Sequence, residues 1–235
     1  MTEEHKTLNH LFFDFDYTIN TKESLDEVIS FALRKNPNRQ NIMRNIEDIT
    51  RTGMEGNLPF TLSLKKRISV VPLTKTDFQT VGNELANHVT EGFSELINEI
   101  ETKKIAICYI VSGGFFDSIL PTAKLLSIPK TRVFTNHCLY DENGKVVSID
   151  NKQPCFSDKG KTDVIEYIKK TYKITGNTCL VGDGANDLSA YQAGVVDHFC
   201  GFTGNQKRKI ITENSPHLAN SAKDLRSFIF SVFTV

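Results

Sequence analysis

The chain has 235 residues, with 28 basic side chains against 28 acidic ones, and so carries no net charge at neutral pH. That length buries a good core as one domain, or as one domain with a smaller insert, and the charge balance excludes the broad basic field of a nucleic-acid or anionic-membrane binder. No apolar run approaches the roughly 18 residues that span a bilayer, and the opening MTEEHKTLNH is unlike a secretory signal, so the expectation is a soluble cytoplasmic protein, monomer or homodimer, with a small-molecule partner.

The first predicted strand is LFFDFD from Leu11, whose apolar run ends at Asp14 and Asp16. Two carboxylates one residue apart, with no basic side chain between them, repel each other and call for a cation beside them, either a metal ion with a phosphate or merely water at a loop. From about Thr21 to Thr102 the patterns are helical, as in SLDEVISFAL and VGNELANHVTEGFSELINEIE, with no strand pattern. This predicts a helical-bundle cap over 21–102, inserted after the first strand, with 1–20 and 103–235 forming the core.

Past the insert, apolar runs alternate with helical patterns. A strand in IAICYIVSGG from Ile105 ends at Ser112, Gly113 and Gly114 and leads into a helix from Phe115 to Ser127. RVFTN from Arg132 is a strand, CLYDENGKVVSID reads as a β-hairpin around Asp-Glu-Asn-Gly, and a helix runs from Thr162 to Tyr172. TCLVGDG from Thr178 ends at Gly182, Asp183 and Gly184 before a helix from Asn186 to Ala193, and VVDHFC from Val195 is a further strand. Leu225, Phe228, Ile229, Val232 and Phe233 mark a last amphipathic helix. The alternation predicts an α/β fold with a doubly wound parallel sheet. Cys108, Cys138, Cys155, Cys179 and Cys200 contain no CxxC pair and read as core thiols.

Ligands of such sheets bind outside the carboxyl ends of the strands, where Asp14 and Asp16, Ser112 to Gly114, and Gly182 to Asp187 would meet. Singly, each has a plain reading: a polar strand end, a strand-to-helix turn, or a solvated turn lacking the spacing of an EF-hand. Jointly they offer carboxylates for a hard cation and a hydroxyl with free amides for an anion, which a phosphate held with Mg²⁺ satisfies together.

In this order the motifs resemble the haloacid dehalogenase superfamily of phosphohydrolases: DxDxT at Asp14, Asp16 and Thr18, a strand-ending Ser112, a lysine, and GDxxxD at Gly182, Asp183 and Asp187. The resemblance implies a Rossmann-like core and a Mg²⁺-dependent hydrolysis in which Asp14 attacks phosphorus and Asp16 is general acid and base. Mg²⁺ would be held by Asp14, the carbonyl of Asp16, and Asp183, with Asp187 supporting them. Ser112 and the Gly113 amide would hold phosphoryl oxygens, and Asn186 would orient this loop or reach the phosphate. The lysine is Lys161 or Lys159 of SDKGKTDVI, with Lys161 better placed at the start of its helix.

The insert is similar to that of the phosphoserine phosphatase family. There a Glu nine residues after the nucleophile takes the substrate ammonium, matched by Glu23, and Met-Glu-Gly, Phe and Lys-Arg elements correspond to Met54, Phe60 and Arg67, with the Arg on the substrate carboxylate. Without the resemblance, Glu23 could complement a helix dipole, Arg67 could be a solvated charge, and Met54 and Phe60 ordinary core residues. The extra RKNPNRQNIMRN region and Phe116 depart from that family's pattern. The resemblance implies phosphoserine hydrolysis and a place in serine biosynthesis; another small phosphomonoester such as phosphoethanolamine or phosphocholine, or a non-catalytic phosphometabolite binder on the same fold, are the alternatives.

Overall fold

A computed structural model describes residues 8–157 and 159–233. The chain runs through β1 (His10–Phe13), the helices α1 (Ser24–Ala32), α2 (Arg39–Met54), α3 (Phe60–Ile68), α4 (Lys75–Leu85) and α5 (Phe93–Thr102), then β2 (Ile107–Phe115), α6 (Phe116–Leu125), β3 (Val133–Asn136), β4 (Cys138–Tyr140) and β5 (Val146–Ile149). It finishes with α7 (Lys161–Tyr172), β6 (Thr178–Gly182), α8 (Ala185–Gln192), β7 (His198–Phe202), α9 (Lys209–Asn214), β8 (Leu218–Ala219) and α10 (Ala222–Phe233).

Six strands pair in the order β3-β2-β1-β6-β7-β8, every pairing parallel, while β4 and β5 form a separate antiparallel hairpin. This is the predicted α/β architecture, and its helices cover both faces because parallel strands need crossovers. Leu11 and Phe13 share one buried cluster with Ile119, Leu225 and Ile229; Phe12, between them, shares the other with Val111, Val164, Ile168 and Leu180. The five cysteines are buried and free.

The sheet register decides where polar residues meet. Phe13 pairs with Ile110 on one side and Val181 on the other, so Asp14, Ser112 and Asp183 follow within two residues of one line across the sheet. β1 lies between β2 and β6, which makes this edge the point where the chain winding reverses.

The helical segment leaves and rejoins the core through a paired strap: Thr21 N donates to His88 O at 2.9 Å and Thr90 N to Ile19 O at 2.8 Å. Beyond it, Phe93 of α5 packs against Phe13 and Phe202, with ring centroids 6.0 and 5.1 Å apart. The expected cap span of 21–102 therefore includes a helix that lies on the sheet, because an amphipathic pattern shows that a face is buried and not what buries it. We propose 21–89 as the cap. Its α4 lies tightly along α6, where a Cβ on Gly82 would stand 2.8 Å from Ser118 O. The hairpin also touches it, with Lys75 N donating to Gly144 O and Val146 N to Leu73 O. Among the described residues, no helix is long and apolar enough to cross a membrane.

Candidate active site

Asp14 sits where β1 ends, its amide donating to Val181 O at 2.8 Å and its Oδ1 accepting from Phe15 N at 2.6 Å. Residues 15–19 form a tight turn closed by Asn20 N to Phe15 O at 2.8 Å, with Tyr17 in the left-handed region at φ 53°. The turn carries Asp16 back toward α1, where its Oδ1 accepts from Ser24 N at 2.7 Å.

Lys161 opens α7 and is buried; its Nζ lies 2.6 Å from Asp14 Oδ1 and also pairs with Asp187 Oδ1. Lys159 is exposed, so of the two candidates the structure brings only Lys161 to the carboxylates. Asp187 also accepts from Gly184 N at 3.0 Å. Asp183 accepts from Arg208 Nε at 3.0 Å through Oδ2, and its Oδ1 is buried with no partner among the described residues. Carboxylate oxygens of Asp14, Asp183 and Asp187 lie within 4.8 Å of one another. A partnerless buried carboxylate oxygen beside two other carboxylates is costly by itself and suits a hard divalent cation.

These surroundings shift the titrations. Burial pushes Asp14 well above the usual carboxylate range, with Lys161 pulling it back. Burial, then Glu23 and Asp14, push Asp16 well up. Asp183 is pushed up to about 6 by burial, less what Arg208 recovers. For Lys161, burial favours the neutral amine, but Asp14 and Asp187 outweigh it and hold the ammonium charged.

From β2, Ser112 Oγ accepts from Gly114 N at 3.0 Å, and Gly113 O accepts from Asn136 Nδ2 at 2.7 Å. Phe60 of the cap lies against Gly113 so closely that a Cβ there would stand 2.7 Å from its ring, so any larger residue would push the Phe60 ring aside. A cavity of about 50 Å³ lies between the layers, lined by Asp14, Asp16, Glu23, Met54, Phe60, Arg67, Gly113, Lys161, Asn186 and Asp187. Ser112 borders a smaller adjoining cavity that Gly113, Lys161 and Asn186 share.

Glu23 and Arg67, expected to take the substrate ammonium and carboxylate, are bonded to each other: Arg67 Nη2 donates to Glu23 Oε1 at 2.6 Å. The same guanidinium grips Asp26 Oδ1 through Nε at 3.0 Å and Nη2 at 2.7 Å. Buried opposite charges neutralise one another, and Glu23 Oε2 is left buried and without a partner among the described residues. Burial disfavours the Arg67 charge, but Glu23 and Asp26 outweigh it and raise its pKa further. Asp26 and Arg208 went unrecognised in the sequence; each has a charged neighbour of the same sign, Glu27 beside Asp26 and Lys207 and Lys209 around Arg208, and only their buried partners mark them out.

No family model matches the chain. The phosphoserine phosphatase of Bos taurus is 29% identical over 218 residues, covering 90% of this chain and 92% of that protein. The crystal structure of a phosphoserine phosphohydrolase-like protein from Francisella tularensis superposes with a TM-score of 0.85 at 29% identity, covering 94% of this chain and all of that one. A phospho-aspartyl intermediate analogue of phosphoserine phosphatase superposes with a TM-score of 0.77 at 26% identity, over 96% of this chain and 99% of that one. With a parallel core, a buried carboxylate and lysine cluster at its switch point, and likeness to these proteins over nearly the whole length of both partners, the chain is a phosphoric monoester hydrolase that resembles the haloacid dehalogenase phosphatases and is similar in sequence and fold to phosphoserine phosphatases.

Proposed function

We propose that the chain hydrolyses O-phospho-L-serine to serine and phosphate through a phosphoryl group carried on Asp14. The observation that supports this most is one cavity with two ends: Asp14, Lys161 and Asp187 line it together with Glu23 and Arg67. A carboxylate oxygen of Asp14 attacks phosphorus as the ester bond breaks. Asp16 gives its proton to the departing serine oxygen, a role that suits a carboxyl whose pKa burial raises. Asp16 then takes a proton from the water that hydrolyses the acyl phosphate, and Lys161 offsets charge on the phosphoryl oxygens from 2.6 Å beside Asp14. Ser112 and Gly113 border the phosphate end and Asn186 its loop, with Met54 and Phe60 covering the cavity from the cap.

The donor set fits Mg²⁺: Asp14, Asp183 and Asp187 would hold it, with the Asp16 carbonyl, and it would supply positive charge against the phosphoryl oxygens. Glu23 would take the substrate ammonium through Oε2, and Arg67 the substrate carboxylate.

A second reading is a phosphate ester with an ammonium and no carboxylate, such as phosphoethanolamine. Two carboxylates already hold Arg67, which leaves the Glu23, Asp26 and Arg67 group with a net negative charge that favours a cation. Phosphate release from L-phosphoserine, phosphoethanolamine and phosphocholine by wild type and Arg67→Lys separates the two. Lysine keeps the charge and loses the two-toothed grip, so phosphoserine turnover should fall about 10-fold or more in kcat/KM with phosphoethanolamine little changed. A wild type that prefers the esters lacking a carboxylate would contradict the phosphoserine reading and leave the hydrolase.

A further inference from the structure

Asn205 lies between β7 and α9, in a loop to which neither the catalytic cluster nor the ammonium and carboxylate pair assigns a role. Its amide Nδ2 stands 2.6 Å from Thr90 Oγ1, 3.2 Å from Tyr17 O, 3.4 Å from Asn20 O and 3.5 Å from Thr18 O. Those four acceptors belong to the turn that follows Asp16 and to both strands of the strap that carries the cap. An amide has two hydrogens, so the acceptors share them, with Thr90 the nearest.

The strap is short. It holds through Thr21 N to His88 O, Thr90 N to Ile19 O and Thr90 Oγ1 to Thr18 O at 2.7 Å, around an antiparallel bridge between Asn20 and Val89. A pair of strands this small is not stable alone in water, so something outside must fix its angle to the core. The same turn holds Tyr17 at a positive φ that a tyrosine adopts at a cost, and a donor at the Tyr17 carbonyl helps hold it there.

We propose that Asn205 is a positioning residue that pins the cap strap to the turn bearing Asp16, so that cap orientation and placement of the acid are set together. Asp16 is one residue before Tyr17 and is itself bonded to Ser24 N at the start of the first cap helix. A strap freed from Asn205 lets that helix tilt and carries Asp16 with it. The catalytic part of the inference rests on the reading of Asp16 as the general acid; the structural part does not.

The test is hydrogen exchange at the Thr21 and Thr90 amides, with steady-state kinetics, in Asn205→Ala and Asn205→Asp, the second keeping the shape while removing the donor. Both amides should exchange about 10-fold faster or more, with the β6 amides unchanged. For whichever phosphomonoester the wild type turns over best, kcat should fall about 10-fold with KM within about twofold. Uniformly faster exchange across β6 as well would reduce Asn205 to a general stabiliser, and unchanged strap amides would overturn the pin. Faster strap exchange with kcat unchanged would overturn its link to Asp16. A wild type inactive on every phosphomonoester would instead refute the hydrolase reading, while the exchange result still judges the pin.

Discussion

Arg67 is the residue on which the cap end of the cavity balances, because one guanidinium answers two carboxylates, the buried Glu23 and the partly buried Asp26. Removing it leaves both without a counter-charge, so Arg67→Ala should cost about 3–5 kcal/mol of stability by urea denaturation, and Arg67→Lys far less. At the other end, Asp183 gives a pH signature. Its carboxyl titrates at about 6 when folded, above the unfolded range, so its contribution to stability is complete below about pH 4 and is lost as pH rises through 6. With chelator present, wild type should lose melting temperature from pH 5 to pH 8 more steeply than Asp183→Asn, and Mg²⁺ should shrink that difference; equal slopes in the two proteins would contradict the assignment. Asp14, Ser112 and Asp183 were legible in the sequence because each ends an apolar run, and strand ends are where a parallel sheet exposes its ligands. Asp26, Arg208 and Asn205 were not, since their partners lie 41, 25 and 115 or more residues away and no local pattern announces them.

The elements repeat that contrast. The five longer sheet strands and the helices α6, α7, α8 and α10 were readable because their apolar periods persist over several residues. β8 has two residues and α9 six, too short for a period, and both take shape from the strand and helices beside them. The segment from Val81 to Glu101 reads as continuous helix, yet the chain breaks from α4 to α5 through Gly92 at φ 77°, because the strap must pair there. Close packing of α4 on α6 is the testable feature at this scale. In an exposed helix Gly82→Ala would gain about 1 kcal/mol from propensity, but here the new methyl meets the Ser118 carbonyl at 2.8 Å and its Cα at 3.0 Å. Backbone atoms cannot swing aside as a side chain can, so a net loss of about 1–2 kcal/mol is expected. An alanine variant as stable as wild type would show that the two helices can part without cost.

For the whole molecule, the sheet supplies the reacting groups and the cap supplies the walls that decide what reaches them. Phe60 resting on Gly113 and Glu23 bonded to Arg67 wall the cavity of about 50 Å³ on its cap side, so entry of a phosphate ester is expected to involve a shift of the cap. In the proposed mechanism, burial would keep water away from Asp14 until the leaving group has departed. The measurement that tests this account most directly is the initial rate of phosphate release from O-phospho-L-serine by wild type and Asp14→Asn, each with Mg²⁺ and with chelator, checked for equal folding by circular dichroism. The account predicts turnover by wild type with Mg²⁺ and a loss of about 1,000-fold or more in the variant or on chelation; substantial turnover by Asp14→Asn, or none by wild type, would contradict it.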